Sequence, residues 1–362
     1  MFDKRYIENF DWWLFLAVIG IMVIGFINLN SASAATGYHF QYKQLEWYAL
    51  GLIVMFGFMC FDYHVIPSLA GYIWIATVIL LVLVLFMGKS VGGSQRWLSL
   101  GFMRLQPSEL AKLSTVMVLS SWFYKDEREQ YRIRDLWKPA LLTLIPAVLI
   151  QRQPDLGTSL LLLALFASIV YIAGIRWTSV ILVFTTLMAA MPLAWKLLKP
   201  YQRRRIESFL NPESDPFGAG YHVIQSKIAV GSGQFTGMGY MKGSQAQLKF
   251  LPEVHTDFAF SVWSEEWGFI GDMVLLSLYA ILLARGIAIA QESKEPFGSY
   301  LAFGVTAMIF WQMLVNIGMV TGLMPVVGVP LPLISYGGSS VLTTMMGIGL
   351  LLNVRARRFM FH

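Results

Sequence analysis

Four stretches of this chain set ionisable or irregular polar backbone inside apolar surroundings, and chemistry could be done at each. In Gln106-Pro107-Ser108-Glu109-Leu110-Ala111-Lys112 the proline suits the first turn of a helix, and Glu109 and Lys112 fall three apart on one face, where they can pair. Such a pair is either a structural ion pair or the polar wall of a substrate cavity. In Gln153-Pro154-Asp155-Leu156-Gly157-Thr158, Asp155 opens the next apolar run, where the helix dipole favours a carboxylate; capping and catalysis both remain open there. Leu251-Pro252-Glu253-Val254-His255-Thr256-Asp257-Phe258, followed by Ser264-Glu265-Glu266-Trp267-Gly268, crowds acids at a loop–helix junction. Asp257 heads that apolar run. Partial desolvation and nearby cations could tune its carboxylate for proton abstraction or metal binding, whereas as an N-cap it would need no chemistry. His255 has no second metal ligand at helical spacing and reads as a hydrogen-bonding loop residue. The fourth stretch, 322–340, contains Pro325, Pro330, Pro332 and Gly337-Gly338 between two apolar runs, which suggests a non-helical, re-entrant lining of a cavity.

The elements that must position these groups are membrane helices. Of 362 residues 56% are hydrophobic and 13% charged, and mean hydropathy is +0.60, whereas soluble domains are about 25% charged. Charge-free runs at 12–30, 66–87, 156–175, 177–195 and 297–320 can each cross a hydrocarbon core of roughly 30 Å. Runs at 47–61, 113–124, 139–150, 267–284 and 340–352 are shorter or carry an ionisable group. The expected fold class is therefore all-α: a polytopic membrane protein of about ten transmembrane helices. Lys4 and Arg5 precede an apolar run ending in Ala32-Ser33-Ala34, which looks like a signal-peptidase site, but the acidic Asp3, Glu8 and Asp11 argue for an uncleaved first helix. The single Cys60 falls in an expected span and permits no intrachain disulfide.

Charge sets the orientation. With the N-terminus inside, inner segments hold thirteen Lys and Arg residues and the short outer loops five: Lys43, Lys89, Arg96, Arg104 and Arg152. That bias places both termini in the cytoplasm, and it explains the net charge of +6 without nucleic acid. The long segment of about 198–258, between the seventh and eighth spans, then lies outside although it carries Arg203, Arg204, Arg205, Lys199, Lys227, Lys242 and Lys249. Long loops are largely exempt from the rule. Its Tyr221-His222-Val223-Ile224 and Leu248-Lys249-Phe250-Leu251 runs are those of an ordered loop packed over the bundle mouth. Gly231, Gly233, Gly237 and Gly239 follow no apolar strand, so they read as turns and close packing, not as a nucleotide fingerprint.

Taken together the motifs resemble the SEDS family (shape, elongation, division and sporulation). The resemblance covers nearly the whole length. It is carried by Asn316…Gly322-Leu323-Met324-Pro325-Val326-Val327-Gly328…Leu333-Ile334-Ser335-Tyr336-Gly337-Gly338-Ser339-Ser340 and by the 251–258 segment, supported by Arg96-Trp97, Pro107-Ser108-Glu109 and Gln153-Pro154-Asp155. Asn211-Pro212…Asp215-Pro216…Gly218-Ala219-Gly220-Tyr221 leading into Ile224-Gln225-Ser226-Lys227 is similar to the elongation-type member, and the division-type member is the close alternative. One departure is Gly92-Gly93-Ser94-Gln95, which lacks a second basic residue before Arg96.

The resemblance implies one integral-membrane domain over residues 1–362, in the bacterial inner membrane, that polymerises lipid II, a disaccharide-pentapeptide on undecaprenyl diphosphate, during cell elongation. An acceptor hydroxyl would lose its proton as it attacks the donor's anomeric carbon, and an α-linked donor giving a β-linked product requires one inverting displacement. By similarity Asp257 is the essential acid, either a general base or a ligand for a divalent cation, Mg2+ or Mn2+. Arg96, Glu109, Lys112, Asp155, Arg104 and Lys227 are the expected substrate-binding residues. The Arg203-Arg204-Arg205 run would meet diphosphate or anionic headgroups. The implied partner is a class B penicillin-binding protein, a crosslinking transpeptidase. A lipid II flippase or a non-catalytic cell-wall scaffold would want similar features.

Overall fold

Why long apolar runs become helices here is a matter of solvent. In hydrocarbon each unpaired peptide group is costly, and the helix satisfies its own. The computed structural model describes residues 9–34, 39–91, 94–99, 104–126, 128–198, 200–214, 218–248, 250–251 and 253–358. Lys4, Arg5, Gly92, Gly93, Lys199, Asp215, Pro216, Lys249 and Pro252, all used in reading the sequence, lie outside them. The longer helices are α1 (Trp12–Ala34), α2 (Phe40–Cys60), α3 (Ile66–Met87), α4 (Pro107–Lys125), α5 (Trp137–Arg152), α6 (Leu156–Ile172), α7 (Trp177–Leu197), α11 (Ala259–Glu292), α12 (Pro296–Val320) and α13 (Gly338–Arg357). Each expected span falls on one of them. The segment between α7 and α11 folds into α8 (Pro200–Leu210), α9 (Ala219–Ser232) and the single turn α10 (Ser244–Gln247).

Helices α1, α11, α12, α13 and the run Tyr63–Met87 that contains α3 are by length and composition able to cross a membrane. The chain is a multi-pass, all-helical membrane protein. Helix α4 is too polar to qualify alone, because it sits inside the bundle with Ser108, Glu109, Lys112, Ser114, Thr115, Ser120 and Ser121 all buried. Neighbouring helices, not lipid, are its solvent. By contrast, α7 presents Trp177, Ile181, Phe184, Met188 and Met191 outward, as a lipid-facing helix should.

Successive helices run up and down, so one end of the bundle collects the starts of α4, α6, α11 and α13 and the end of α12. A small antiparallel sheet, β1 (Lys89–Val91), β2 (Ser94–Ser99) and β3 (Arg104–Leu105), forms at this end with Leu98 paired to Leu105 and Ser99 to Arg104. Nothing in the sequence reading anticipated it. At the other end charges close the bundle: Arg285 grips Asp11 at 2.7 Å, Arg355 and Arg358 share Glu292, and Arg357 lies 3.4 Å from Asp62.

Helix α11 is broken at Gly268, whose φ of 62° and ψ of −162° are non-helical. The break frees peptide groups, and a segment of the long loop satisfies them. Phe269 and Ile270 N–H donate to the carbonyls of Gln234 and Phe235 at 2.9 and 3.1 Å, while Met238 and Gly239 N–H donate to those of Glu265 and Glu266 at 3.0 Å. Glu265 accepts from Ser244 Oγ and Gln245 N–H, and Glu266 from Ser31 Oγ on α1, so these two buried acids pin the loop and α1 to the break. The loop is thus part of the bundle, and its glycines serve close packing. A Cβ at Gly268 would stand 2.4 Å from Gly237 N. Gly268→Ala should therefore destabilise the protein by about 2 kcal/mol or more, read as a lower thermal midpoint in detergent; an unchanged midpoint would mean that the loop does not thread the break.

Candidate active site

The site is built on a stretch of backbone that is not helical. Between α12 and α13, residues 321–337 run as turns and extended chain with Val329, Leu331, Leu333, Ile334 and Ser335 buried. Carbonyls in such a place need donors. Tyr48 on α2 donates its hydroxyl to Leu333 O, Tyr279 on α11 to Pro332 O, Gln44 Nε2 to Ser335 O, and Asn316 Nδ2 to Val329 O at 2.7 Å. The expected non-helical segment between the two spans is therefore present, held from three helices.

This segment fixes the Asp257 loop. Tyr336 N–H donates to His255 O at 2.8 Å, Ser335 Oγ donates to Thr256 O, and Asn316 Nδ2 donates to Asp257 O at 3.0 Å. The His255 ring stacks on Phe40 with centroids 4.4 Å apart, so the residue packs through its ring and accepts a hydrogen bond only through its backbone carbonyl among the described residues. Asp257 is not the N-cap of α11; Phe258 is, without a side-chain cap. The capping alternative for Asp257 falls away because its peptide lies outside the helix and its half-buried carboxylate points past Gly328, where a Cβ would come within 3.2 Å of Oδ2. Gly328 has φ +73°, a conformation suited to glycine.

Burial pushes the Asp257 carboxyl up to about 6, and Glu253 adds to the rise; Arg96 opposes it, Asp155 reinforces it, and a hydrogen bond from Thr256 lowers it. Arg96, Asp155 and Glu253 thus share the electrostatic field of Asp257. The β2 strand brings Arg96 there: Nε donates to Gln153 O at 3.1 Å, Nη2 to Pro154 O, and Nη1 stands 3.8 Å from Asp155 Oδ2. Asp155 caps α6, accepting from Thr158 N–H at 3.1 Å and Thr158 Oγ1 at 3.0 Å. Arg96 is consequently braced on the turn before α6, with donors left over, since a guanidinium carries five N–H groups.

The remaining expected residues sit in other places. Lys112 Nζ donates to Glu109 Oε1 at 2.7 Å, both side chains buried in α4, and Glu109 Oε2 has no hydrogen-bond partner among the described residues. Arg104 stands at the sheet edge, where its carbonyl accepts from Ser339 Oγ and its charge acts on Tyr336. Lys227 on α9 is exposed and lies across Gly322, where a Cβ would be 2.6 Å from its Nζ. Arg203 caps the end of α7, donating to Trp195 O and Lys196 O at 3.1 and 2.7 Å. Those bonds seat Arg203 on the α7 terminus; the side chains of Arg204 and Arg205 lie outside the described residues. Sequence reasoning assigned no role to Asn316, Tyr48, Tyr279 or Gln44. A buried-type amide in an apolar run beside a Pro-rich segment, four residues after Gln312, was the available signal for Asn316.

Among the described residues no three His, Cys, Asp or Glu side chains gather as a metal cage. Mg2+ does not require one, because it is commonly held by one or two carboxylates with substrate phosphates and waters. The half-buried Asp257 carboxylate fits that limited donor role.

A multi-pass helical bundle with a braced carboxylate and a buried ion pair at one mouth defines an integral-membrane protein with charged groups held inside one end of the bundle. A family model described as a cell cycle protein, covering FtsW, RodA and SpoVE, matches residues 9–359. The peptidoglycan glycosyltransferase MrdB of Escherichia coli K12 is 38% identical over 353 residues, 97% of this chain and 95% of MrdB. A chain of a peptidoglycan synthase complex, solved to describe the coordination of polymerization and crosslinking, superposes with TM-score 0.84 at 38% identity over 97% of this chain and 99% of that one. The Thermus thermophilus rod shape determining protein RodA superposes with TM-score 0.72 at 32% identity over 97% and 98%. The chain belongs to the FtsW/RodA/SpoVE family, the SEDS proteins of the sequence reading.

The α4 pair makes a quantitative expectation. Glu109→Gln or Lys112→Met leaves an uncompensated buried charge and should cost roughly 3 to 5 kcal/mol, whereas the double variant should lose less than the sum. Thermal midpoints of the two singles and the double check this, and strictly additive losses would contradict the pairing.

Proposed function

We propose that this chain is a peptidoglycan glycosyltransferase that polymerises lipid II into glycan strands, of the elongation type. The carrying observation is that Asp257, held outside its helix with a carboxyl raised to about 6, stands in one field with Arg96 and Asp155 at the bundle mouth. Family membership supports the reaction class, and the geometry supports the roles that follow. Asp257 accepts the proton of the acceptor sugar hydroxyl as its oxygen bonds to the donor's anomeric carbon. The bond from that carbon to the diphosphate oxygen breaks, and the electron pair leaves with undecaprenyl diphosphate. A base near neutral pKa suits this task. The configuration inverts in the single displacement.

Arg96, with donors beyond those it spends on the Gln153 and Pro154 carbonyls, meets the growing diphosphate charge, as do Arg104 and Lys227 at the rim. Lys112, held by Glu109, places a fixed cation inside the bundle at the start of α4. Asp155 orients Arg96 and the start of α6. A bound Mg2+ or Mn2+ at Asp257 would supply further neutralisation of the leaving diphosphate. The mouth faces the outer leaflet of the bacterial inner membrane and the charge-closed end faces the cytoplasm, consistent with the positive-inside bias. A class B penicillin-binding protein is the fitting partner, since nascent strands need a crosslinking transpeptidase.

Purified protein given lipid II in detergent should make glycan polymer, with a rate that rises with pH through about 6 as Asp257 deprotonates. Glu253→Gln removes a neighbouring carboxylate and should move that limb to lower pH, and Arg96→Gln should move it higher. A flippase or scaffold would yield no polymer at any pH, and a limb indifferent to both substitutions would separate Asp257 from the reaction.

A further inference from the structure

Asn316 lies on α12, fully buried, and spends its two amide protons on two separate pieces of irregular backbone. One goes to Asp257 O at 3.0 Å and the other to Val329 O at 2.7 Å. Where α11 begins, Ser261 and Val262 N–H both turn to Phe258 O, and the Asp257 carbonyl takes its hydrogen bond from Asn316. A helix starting one residue earlier would draw that carbonyl into its own ladder and carry the Asp257 side chain round with it. The second proton fixes the neighbour that Asp257 must pass, because Val329 adjoins Gly328, whose α-carbon leaves room beside Oδ2.

We propose that Asn316 is a positioning residue for the transfer reaction: its carboxamide clamps the Asp257 loop to the Gly328–Val329 backbone and so sets where the carboxylate meets the acceptor hydroxyl. It touches neither sugar nor diphosphate. Its effect runs through Asp257, and the inference rests on the assignment of Asp257 to the reaction. Loss of the clamp should misplace the base while leaving the donor and acceptor contacts of Arg96, Arg104 and Lys227 in place. The signature is a fall in kcat without a matching rise in KM.

The test compares purified wild-type protein, Asn316→Leu, which keeps the volume and loses both donors, and Asn316→Ser, which keeps one donor. Initial rates of lipid II polymerisation are taken over a range of lipid II concentrations and normalised to protein that binds lipid II. Asn316→Leu should lose on the order of 10²-fold in kcat, with KM within about threefold, and Asn316→Ser should fall between it and wild type. A residue that only stabilises the fold would lower the binding-competent fraction and leave the normalised kcat alone. Should Asn316→Leu fail to fold, Asn316→Ser alone decides, by the same split. Wild-type kcat in a folded variant, or a loss confined to KM, overturns the clamp. If wild-type protein itself makes no polymer, the glycosyltransferase reading fails first and takes the clamp with it; an active wild type beside an unaffected variant removes the clamp alone.

Discussion

Seventeen residues of irregular backbone, 321–337, lie at the mouth of a bundle whose surroundings are lipid and packed helices. Each buried carbonyl there left without a donor would cost about 1–3 kcal/mol, so the segment can exist only where the bundle supplies hydroxyls and amides. Tyr48, Tyr279, Gln44 and Asn316 meet that demand from α2, α11 and α12. The same bonds that make the segment tolerable also fix the rest of the site. Tyr336, Ser335 and Asn316 carry the constraint on to His255, Thr256 and Asp257. The left-handed backbone at Leu333, with φ 63°, is a local strain that this network over-determines.

Charge is managed by the same economy. Buried ions are either matched in place, as Lys112 with Glu109 and Arg285 with Asp11, or anchored on neighbouring backbone and side chains, as Glu265 on Ser244 and Gln245. Asp257 differs. It is half-buried with one hydrogen bond from Thr256 and no direct bond to Arg96, while burial first, then Glu253 and Asp155, push its carboxyl toward neutrality. A carboxyl kept near its titration point at the end of a rigid frame suits the proposed proton transfer, or a cation that substrate brings.

Much of this was legible in the chain. Each apolar run became a helix, because length and hydropathy alone decide that in lipid. Pro325, Pro330 and Pro332 announced a non-helical segment, and Glu109–Lys112 and the Asp155 cap followed from helical spacing and dipole. The three-stranded sheet was not legible, since β1 and β3 are only three and two residues long and are defined by pairing across the sequence. The splice of the long loop into the α11 break depends on contacts between residues near 234–239 and 265–270, which no local pattern reports. Asn316 carried a signal in its type, but its two acceptors lie 59 and 13 residues away. For Arg203 no local pattern reports that its guanidinium folds back on the last carbonyls of α7.

The central claim is that the frame exists to present the Asp257 carboxylate to a sugar hydroxyl. Replacing Asp257 by Asn preserves shape and the backbone bond to Asn316 while removing the proton acceptor. In the polymerisation assay with purified, folded protein and lipid II, Asp257→Asn should lose on the order of 10²-fold or more in rate with lipid II binding retained. Polymer yield within about threefold of wild type from folded Asp257→Asn would contradict it.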